Sequence, residues 1–142
     1  MRIADVLRVK GKQVATIQPQ ASVAELLREL ADRNIGAMVV VGDEGVVGIV
    51  SERDVVRRLH ERGAELIDVP IADIMTAMVA ICTPDDTVDD LTQLMTTRRI
   101  RHVPVLVDGE LDGLVSIGDV VKSRMDELEQ TKEQLEAYIV QG

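Results

Sequence analysis

The sequence predicts an α/β (α+β) fold built from two similar units that pack sheet to sheet about a pseudo-twofold axis and are followed by an extended C-terminal helix. Three observations support this fold class. The 142 residues contain a duplicated stretch, each copy switches between strand-like and helix-like periodicity, and 46% of the residues are hydrophobic. Tyr138 is the only aromatic residue. The core must therefore be aliphatic.

The duplication is visible without any gap. Residues 14–57 align on residues 79–122, and 15 of the 44 aligned positions are identical. GIVSERDVV at 48–56 recurs as GLVSIGDVV at 113–121, so that Ser51 and Asp54 correspond to Ser116 and Asp119. A lead-in segment, IADVL at 3–7, recurs as IADIM at 71–75. We therefore assign the repeats to residues 1–68 and 69–125, and residues 126–142 to a C-terminal helical extension.

Each copy starts with a short strand and an amphipathic helix. The β-prone runs are VATI at 14–17 and VAIC at 79–82, each followed two residues later by a proline. Apolar residues at helical spacing follow, namely Val23, Leu26, Leu27 and Leu30 in the first copy and Val88, Leu91, Leu94 and Met95 in the second. Two pairs predict capping boxes at the helix starts, Ser22 with Glu25 and Thr87 with Asp90.

Each copy then predicts a hairpin and a second helix. AMVVV, GDEG and VVGIV indicate strand, turn and strand in the first copy, as do HVPVLV, DGE and LDGLV in the second. The turn glycines supply the positive φ that tight turns need. Ser51 and Ser116 open the second helices, of which the first should end near Gly63.

Charge and cysteine content exclude several classes of function. A net charge of -9 and a pI near 4.7 argue against nonspecific binding to nucleic acids or anionic membranes. Cys82 has no partner for an internal disulfide and lies between apolar residues, which favours a buried free thiol and the cytoplasm. No apolar run approaches the roughly 20 residues of a membrane span, and the N-terminus lacks a signal-peptide core. We expect a soluble protein.

The repeated strand-helix-strand-strand-helix unit, with its R-x-x-P-V strand and G-h-h-S-x-x-D corner, resembles the cystathionine-β-synthase (CBS) domain. The tandem resembles the CBS pair, or Bateman module, over residues 3 to about 125. The resemblance implies two clefts near the pseudo-twofold axis that bind an adenosyl ligand such as AMP, ADP, ATP, S-adenosylmethionine or NAD(H). It also implies a homodimer and an unknown protein that the module regulates. The nucleotide-binding residues it implies are Thr16, Met38, Ser51, Arg53, Asp54, Ile81, Thr83, Ile100, Arg101, His102, Val103, Pro104, Ser116, Ile117 and Asp119.

The S-x-x-D corners have two interpretations. A helix N-terminus suits phosphate, and a carboxylate one turn later suits the ribose diol. Ser116 would then contact phosphate and Asp119 ribose. The same pattern is also an ordinary capping box. Both interpretations stay open at this point. Because no Trp or Phe is present, adenine should lie between aliphatic side chains, such as Ile35, Met38, Ile81, Ile100 and Val103. The resemblance implies that Thr16, Ile17, Ile81 and Thr83 flank the cleft.

The stretch RRIRHVPV, residues 98–105, concentrates basic groups at the start of a strand. It predicts a local anion site, with a solvated basic edge as the alternative. Strand alternation should point Arg101 and His102 to opposite sides. The first copy has Gly36 and Ala37 at these positions, so the two clefts cannot be equal. Arg53 restores a cation in one of them, and we expect one strong site and one weak or different site.

The sequence beyond the repeats continues the last helix with an apolar stripe. Met125, Leu128, Lys132, Leu135 and Ile139 recur at alternating spacings of three and four. The stripe packs either on its own module or on a partner in a dimer.

The leading functional hypothesis is a non-catalytic sensor of an adenine nucleotide, and the alternative is a ligand-free dimerisation or scaffold module. An enzyme is disfavoured, because the two histidines lie far apart and no Walker loop or zinc spacing occurs. We expect no catalytic residue, no metal and no catalytic cofactor.

Overall fold

The computed structural model describes residues 1–77 and 80–141. The first part of the chain forms α1 (Ile3–Lys10), β1 (Thr16–Ile17), α2 (Val23–Arg33), β2 (Ala37–Gly42), β3 (Gly45–Ser51) and α3 (Glu52–Arg62). Two 3-10 segments follow, Gly63–Asp68 and Ile71–Asp73. The second part forms β4 (Thr76–Ala77), α4 (Val88–Arg98), β5 (His102–Val107), β6 (Glu110–Ser116) and α5 (Ile117–Gln141). The predicted mixed fold with two repeats and an extended last helix is confirmed.

The strands form two sheets, and β4, from the segment assigned to the second repeat, belongs to the sheet of the first repeat. In the first, β1 runs parallel to β2, and β2, β3 and β4 pair antiparallel in that order. In the second, β5 and β6 form an antiparallel hairpin. Cys82 adds a single parallel bridge to Val105, which repeats the pairing of Ile17 with Val40 in the first sheet. The strand predicted at 79–82 is thus reduced to this bridge, while Val79 lies outside the described residues.

The predicted turns and N-caps are confirmed, but the capping boxes at Ser22 and Thr87 are present only as the hydrogen bond from the N3 amide to the cap hydroxyl. Gly45 and Gly109 have φ of 111° and 82° at the two hairpin turns. The Ser22 hydroxyl accepts a hydrogen bond from the Glu25 amide at 3.2 Å. The Thr87 hydroxyl accepts one from the Asp90 amide at 3.1 Å. Gly63 ends α3, as predicted.

The apolar side chains form two clusters, rather than the one shared core that sheet packing predicts. The first repeat supplies Ile17, Val23, Leu26, Leu30, Met38, Val40, Val50 and Val55, and the second supplies Cys82, Val88, Leu91, Met95, Val103, Val105, Val115 and Val120. The lead-in segments are exchanged between them. Ile3 and Leu7 pack in the cluster of the second repeat, whereas Ile71 and Ile74 pack in that of the first. The exchange ties the two repeats together.

Hydrogen bonds fix this exchange. The Ile3 amide donates to the Asp86 carbonyl at 2.9 Å, and the Ile71 amide donates to the Ala21 carbonyl at 2.8 Å. Between the repeats, β3 contacts β6. The faces of the two repeats therefore meet near their second hairpin strands, which brings the corners at Ser51 and Ser116 to the junction.

Within the described residues, the ion pairs that anchor helix α5 to the rest of the chain lie near its start. The amino terminus of Met1 lies 3.8 Å from a carboxylate oxygen of Glu127, and Arg124 pairs with Asp89. From Leu128 to Gln141 every residue is exposed. The alternative that the tail packs back on its own module is therefore wrong, because packing of this kind would bury apolar residues such as Leu135 and Ile139, which are exposed. Among the helices of the described ranges, none is both long and apolar enough to cross a membrane.

Candidate functional site

A cleft of about 380 Å³ opens between the two repeats. One wall is the first corner, which we define as residues 51–54 between β3 and α3, with Arg57 one turn further on. The opposite wall is the segment 99–102 between α4 and β5. We call this space the arginine cleft. The remaining residues that line it are Gly36, Ile49, Thr76, Ala77 and Ala80.

Local structure explains how the first wall is placed. Ser51 is the last residue of β3 and α3 begins at Glu52, whose amide donates to the Gly36 carbonyl at 3.0 Å. Arg53 and Arg57 are four residues apart on α3, and therefore project from the same side of the helix. The strand end thus positions the corner, and the helix extends the basic surface away from it.

The second wall depends on an unusual helix end. Arg99 caps α4 with φ of 55°, in the left-handed region that non-glycine residues rarely adopt. Beyond this turn the Ile117 amide donates to the Arg101 carbonyl at 2.8 Å, and β5 begins at His102. The tight turn brings Arg99, Arg101 and His102 to the cleft together.

Arg101 and His102 do not separate to opposite sides as strand alternation predicts. Both line the arginine cleft. The reason is that β5 starts only at His102, so Arg101 belongs to the turn and is not bound by the alternation of the strand. This corrects the expectation that only one of the two faces the cleft.

Asp54 is held by three hydrogen bonds. The Ser51 amide and hydroxyl donate to its Oδ2 at 2.9 and 3.1 Å, and the Thr76 hydroxyl donates to its Oδ1 at 3.2 Å. The corner is therefore a capping box in the structure. A carboxylate fixed in this way is also a ready acceptor for vicinal hydroxyl groups at the mouth of the cleft.

The charge of the arginine cleft is positive although the protein is acidic. Four arginines, Arg53, Arg57, Arg99 and Arg101, line it beside two acids, Glu52 and Asp54. In the described parts of the chain, no ion pair involves any of these four arginines. Guanidinium groups that lack a carboxylate partner bind phosphate or carboxylate oxygens strongly. The cleft is suited to an anion.

His102 lies half-buried in the same wall. Burial lowers the pKa of its imidazole, and the positive charges of Lys10 and Arg101 lower it further, against the opposing effect of Asp119 and Asp54. The imidazole is therefore neutral at pH 7 in the free protein. It offers a hydrogen-bonding group rather than a fifth positive charge.

The second corner, residues 116–119, is also a helix cap, but here the side chain of Lys10 contacts the aspartate. The Ser116 amide donates to Asp119 Oδ2 at 2.8 Å, and the Asp119 amide donates to the Ser116 hydroxyl at 3.2 Å. Lys10 Nζ lies 2.5 Å from Asp119 Oδ2 and 2.5 Å from the Leu114 carbonyl oxygen. Burial raises the pKa of Asp119, but the hydrogen bonds from Lys10 and Ser116 outweigh it, and the pKa lies below its usual value.

The structure distributes the fifteen predicted site residues over several environments. The arginine cleft gathers six of them, Ser51, Arg53, Asp54, Ile100, Arg101 and His102. Ser116, Ile117 and Asp119 lie at the second corner. Met38, Val103 and Pro104 are buried, and the side chains of the first two, at 0% exposure, pack in the cores. Thr16, Ile81 and Thr83 are exposed and do not line the arginine cleft.

Sequence reasoning missed several lining residues. Arg57 carried a usable signal, because it follows Arg53 by one helical turn. Arg99 lay within the basic run at residues 98–102 but was not selected. Thr76 gave no signal, since its approach to Asp54 depends on the pairing of β3 with β4.

Comparison with known proteins identifies the family. The CBS domain matches the chain twice, over residues 4–61 and 71–126. The chain therefore belongs to the CBS-domain family. A mitochondrial CBS-domain protein of Arabidopsis thaliana is 35% identical over an alignment of 149 positions, which covers 99% of this chain and 72% of that protein.

Solved structures agree with the fold. A CBS-domain protein of Agrobacterium tumefaciens is 41% identical, has a TM-score of 0.82, and matches 87% of this chain and 92% of its own. A CBS-domain pair solved with 5′-methylthioadenosine and S-adenosyl-L-methionine is 25% identical, with a TM-score of 0.78 over 89% of this chain and 98% of its own.

Proposed function

We propose that this CBS pair is a non-catalytic regulatory module that binds an adenine nucleotide, AMP, ADP, ATP or NAD(H), in the arginine cleft. Binding would draw the first corner and the segment 99–102 together, and so alter the contact between the repeats. An unknown protein would respond to that change. In this role the chain carries no catalytic group of its own.

The unpaired arginines are the observation that supports this proposal most. Four guanidinium groups line one cleft of an acidic protein, and a fixed carboxylate, Asp54, lies beside them. A nucleotide presents the matching groups, phosphates at one end and a ribose diol at the other. Ile49 and Ile100 add aliphatic surface for the base.

A solved relative supports the adenosyl part of the ligand. The CBS pair with 5′-methylthioadenosine and S-adenosyl-L-methionine shares the fold of this chain. Those two ligands lack a phosphate, and S-adenosyl-L-methionine carries a positive sulfonium group. The positive charge of the arginine cleft favours phosphorylated ligands over both.

The scaffold function remains the second candidate, because one observation favours it. Both Ser–Asp corners are complete capping boxes, and so each has a structural use without any ligand. A scaffold would gain only the stability of the cap, about 1 kcal/mol. It would not need the four arginines without carboxylate partners.

We further propose a homodimer and a cytoplasmic location. The exposed apolar residues of α5 beyond Glu127 support the former, since Leu128, Leu135 and Ile139 each leave more than half of their surface exposed. The buried free thiol of Cys82 is consistent with the latter.

The test is thermal unfolding with each of AMP, ADP, ATP, NADH, adenosine and S-adenosyl-L-methionine at about 1 mM. A ligand present at 100 times its Kd adds about 2.7 kcal/mol to the free energy of unfolding. This corresponds to roughly 5 to 10 °C in the melting temperature. We expect at least one phosphorylated nucleotide to give such a shift.

Asp54→Asn should remove the shift while the protein stays folded, because it removes the charge that accepts the ribose hydroxyls. Asp90→Asn is the matched control, since Asp90 occupies the same third helical position after the N-cap Thr87 but lies outside the cleft. Its shift should equal that of the wild type. Flat curves with every nucleotide would reject the sensor and leave the scaffold.

A further inference from the structure

Lys10 holds the second corner closed by a pair of short hydrogen bonds. Its Nζ donates to Asp119 Oδ2 and to the Leu114 carbonyl oxygen, both at 2.5 Å, across 109 and 104 residues of sequence. Its side chain is 33% exposed and that of Asp119 is 22% exposed. The ammonium group thus contacts the Asp119 carboxylate and the Leu114 carbonyl at once, although part of the lysine side chain stays exposed.

The corresponding positions in the first repeat line a cavity. Leu114 and Asp119 correspond to Ile49 and Asp54 by the spacing of 65 residues. Ile49 and Asp54 both line the arginine cleft. In the first repeat these two positions therefore belong to a cavity, and in the second repeat Lys10 bridges them.

Helix α1 places Lys10 accurately. Lys10 is the last residue of α1, and the helix lies so close to β6 that a Cβ on Gly113 would be 2.8 Å from Leu7 Cδ2. Leu7 is only 1% exposed. Because the helix is fixed by this contact, the lysine reaches the corner in a defined position. A neutral residue at position 10 would leave Asp119 without its cation.

We propose that Lys10 is an internal occupant that closes the second corner to nucleotides. The chain then binds one nucleotide, in the arginine cleft, although it carries two S-x-x-D corners. This inference rests on the proposed function, because it concerns which of two related corners accepts the same ligand. Lys10 thus determines how many nucleotides one chain binds, and replacing it opens the second corner to a nucleotide.

The experiment is isothermal titration calorimetry with AMP, and with ATP as a second probe. Wild-type protein should bind one equivalent per chain. Lys10→Met should bind two equivalents per chain. The second equivalent should bind at least tenfold more tightly than any weak second equivalent that the wild type binds. Lys12→Met is the matched control, because Lys12 pairs with Asp112 at 3.5 Å and lies two residues away. It should keep one equivalent.

Double variants separate this inference from the proposed function. Lys10→Met with Asp119→Asn should return to one equivalent, and Lys10→Met with Asp54→Asn should also retain one, now at the second corner. If wild-type protein binds one equivalent that Asp54→Asn removes, the proposed function stands. If Lys10→Met then still binds only one, the inference about Lys10 is overturned.

A second measurement needs no variant at all. Limited acetylation of the native protein, read by peptide mass spectrometry, should modify Lys10 at least tenfold more slowly than Lys12. Saturating AMP should leave that ratio unchanged. Equal rates, or a release of Lys10 upon addition of AMP, would show that the corner is accessible in the wild type and would overturn the proposal.

Discussion

Gly48 lies so close to Thr76 that a Cβ on the glycine would be 2.5 Å from the Thr76 carbonyl oxygen. This approach lets Gly48 pair with Ala77 across β3 and β4. It also brings the Thr76 hydroxyl to Asp54. The absence of a side chain at position 48 therefore shapes one wall of the arginine cleft.

Gly48→Ala should lower the free energy of unfolding by about 1–3 kcal/mol, as expected for overpacking against rigid backbone. It should also weaken nucleotide binding, because β4 must move away from Asp54. Gly113→Ala is the matched comparison, since its Cβ would meet side-chain atoms of Leu7 rather than backbone. Chemical denaturation should show a smaller loss for Gly113→Ala. Equal losses would mean that β4 is not held by this contact.

Arg99 has an unfavourable left-handed backbone conformation, and its side chain lines the proposed nucleotide site. The matching residue of the first repeat, Asn34, has nearly the same φ of 52°, and asparagine tolerates this region well. Arg99→Asn should therefore raise the free energy of unfolding by about 0.5–1 kcal/mol and yet lower AMP affinity about tenfold, as loss of a charged hydrogen bond does. Arg28→Gln, on the exposed side of α2, is the control for lost charge. Unchanged affinity in Arg99→Asn would place Arg99 outside the ligand site.

His102 should make stability depend on pH. Burial, and then the charge of Lys10, lower the pKa of its imidazole in the folded protein. The unfolded chain therefore binds a proton first as pH falls below about 6.5, and the free energy of unfolding falls with it. His102→Gln should flatten the dependence between pH 6.5 and 5. His60→Gln, at an exposed position on α3, should leave it unchanged. A flat wild-type profile would contradict the prediction.

Most of the fold could be predicted from the sequence, because its signals lie in short stretches of the chain. The caps at Ser22 and Thr87 and the glycine turns each depend on residues a few positions apart, and the duplication can be seen by aligning the sequence with itself. The exchange of the lead-in segments could not be predicted, because Ile3 and Leu7 are apolar and would suit the core of either repeat. The sequence also predicted two unequal clefts. It did not predict that segment 99–102 lies opposite the corner at Ser51, because that contact depends on how the two repeats pack. Lys10 gave no signal, since its partner is 109 residues away.

Cys82 should be chemically inert in the folded protein. Burial, together with the nearby charge of Asp86, raises the pKa of its thiol to about 12, and the thiol donates to the Pro104 carbonyl at 3.7 Å. At pH 8 the thiolate fraction is then about 10⁻⁴. Iodoacetamide should leave native Cys82 unmodified for hours and modify it within minutes in denaturant. Rapid labelling of the native protein would show that the bridge to Val105 opens readily.

The tail of α5 should control self-association. Because every residue from 128 to 141 is exposed, removing residues 129–142 should leave the melting temperature at low protein concentration unchanged. Light scattering should report a dimer for the full chain and a monomer for the truncated one. Lys132 interrupts the apolar stripe, and Lys132→Leu should therefore tighten the dimer by completing the heptad pattern. Glu133→Leu, one position along and off the stripe, is the control. A truncated chain that still dimerises would place the interface on the repeats themselves and leave the tail for another partner.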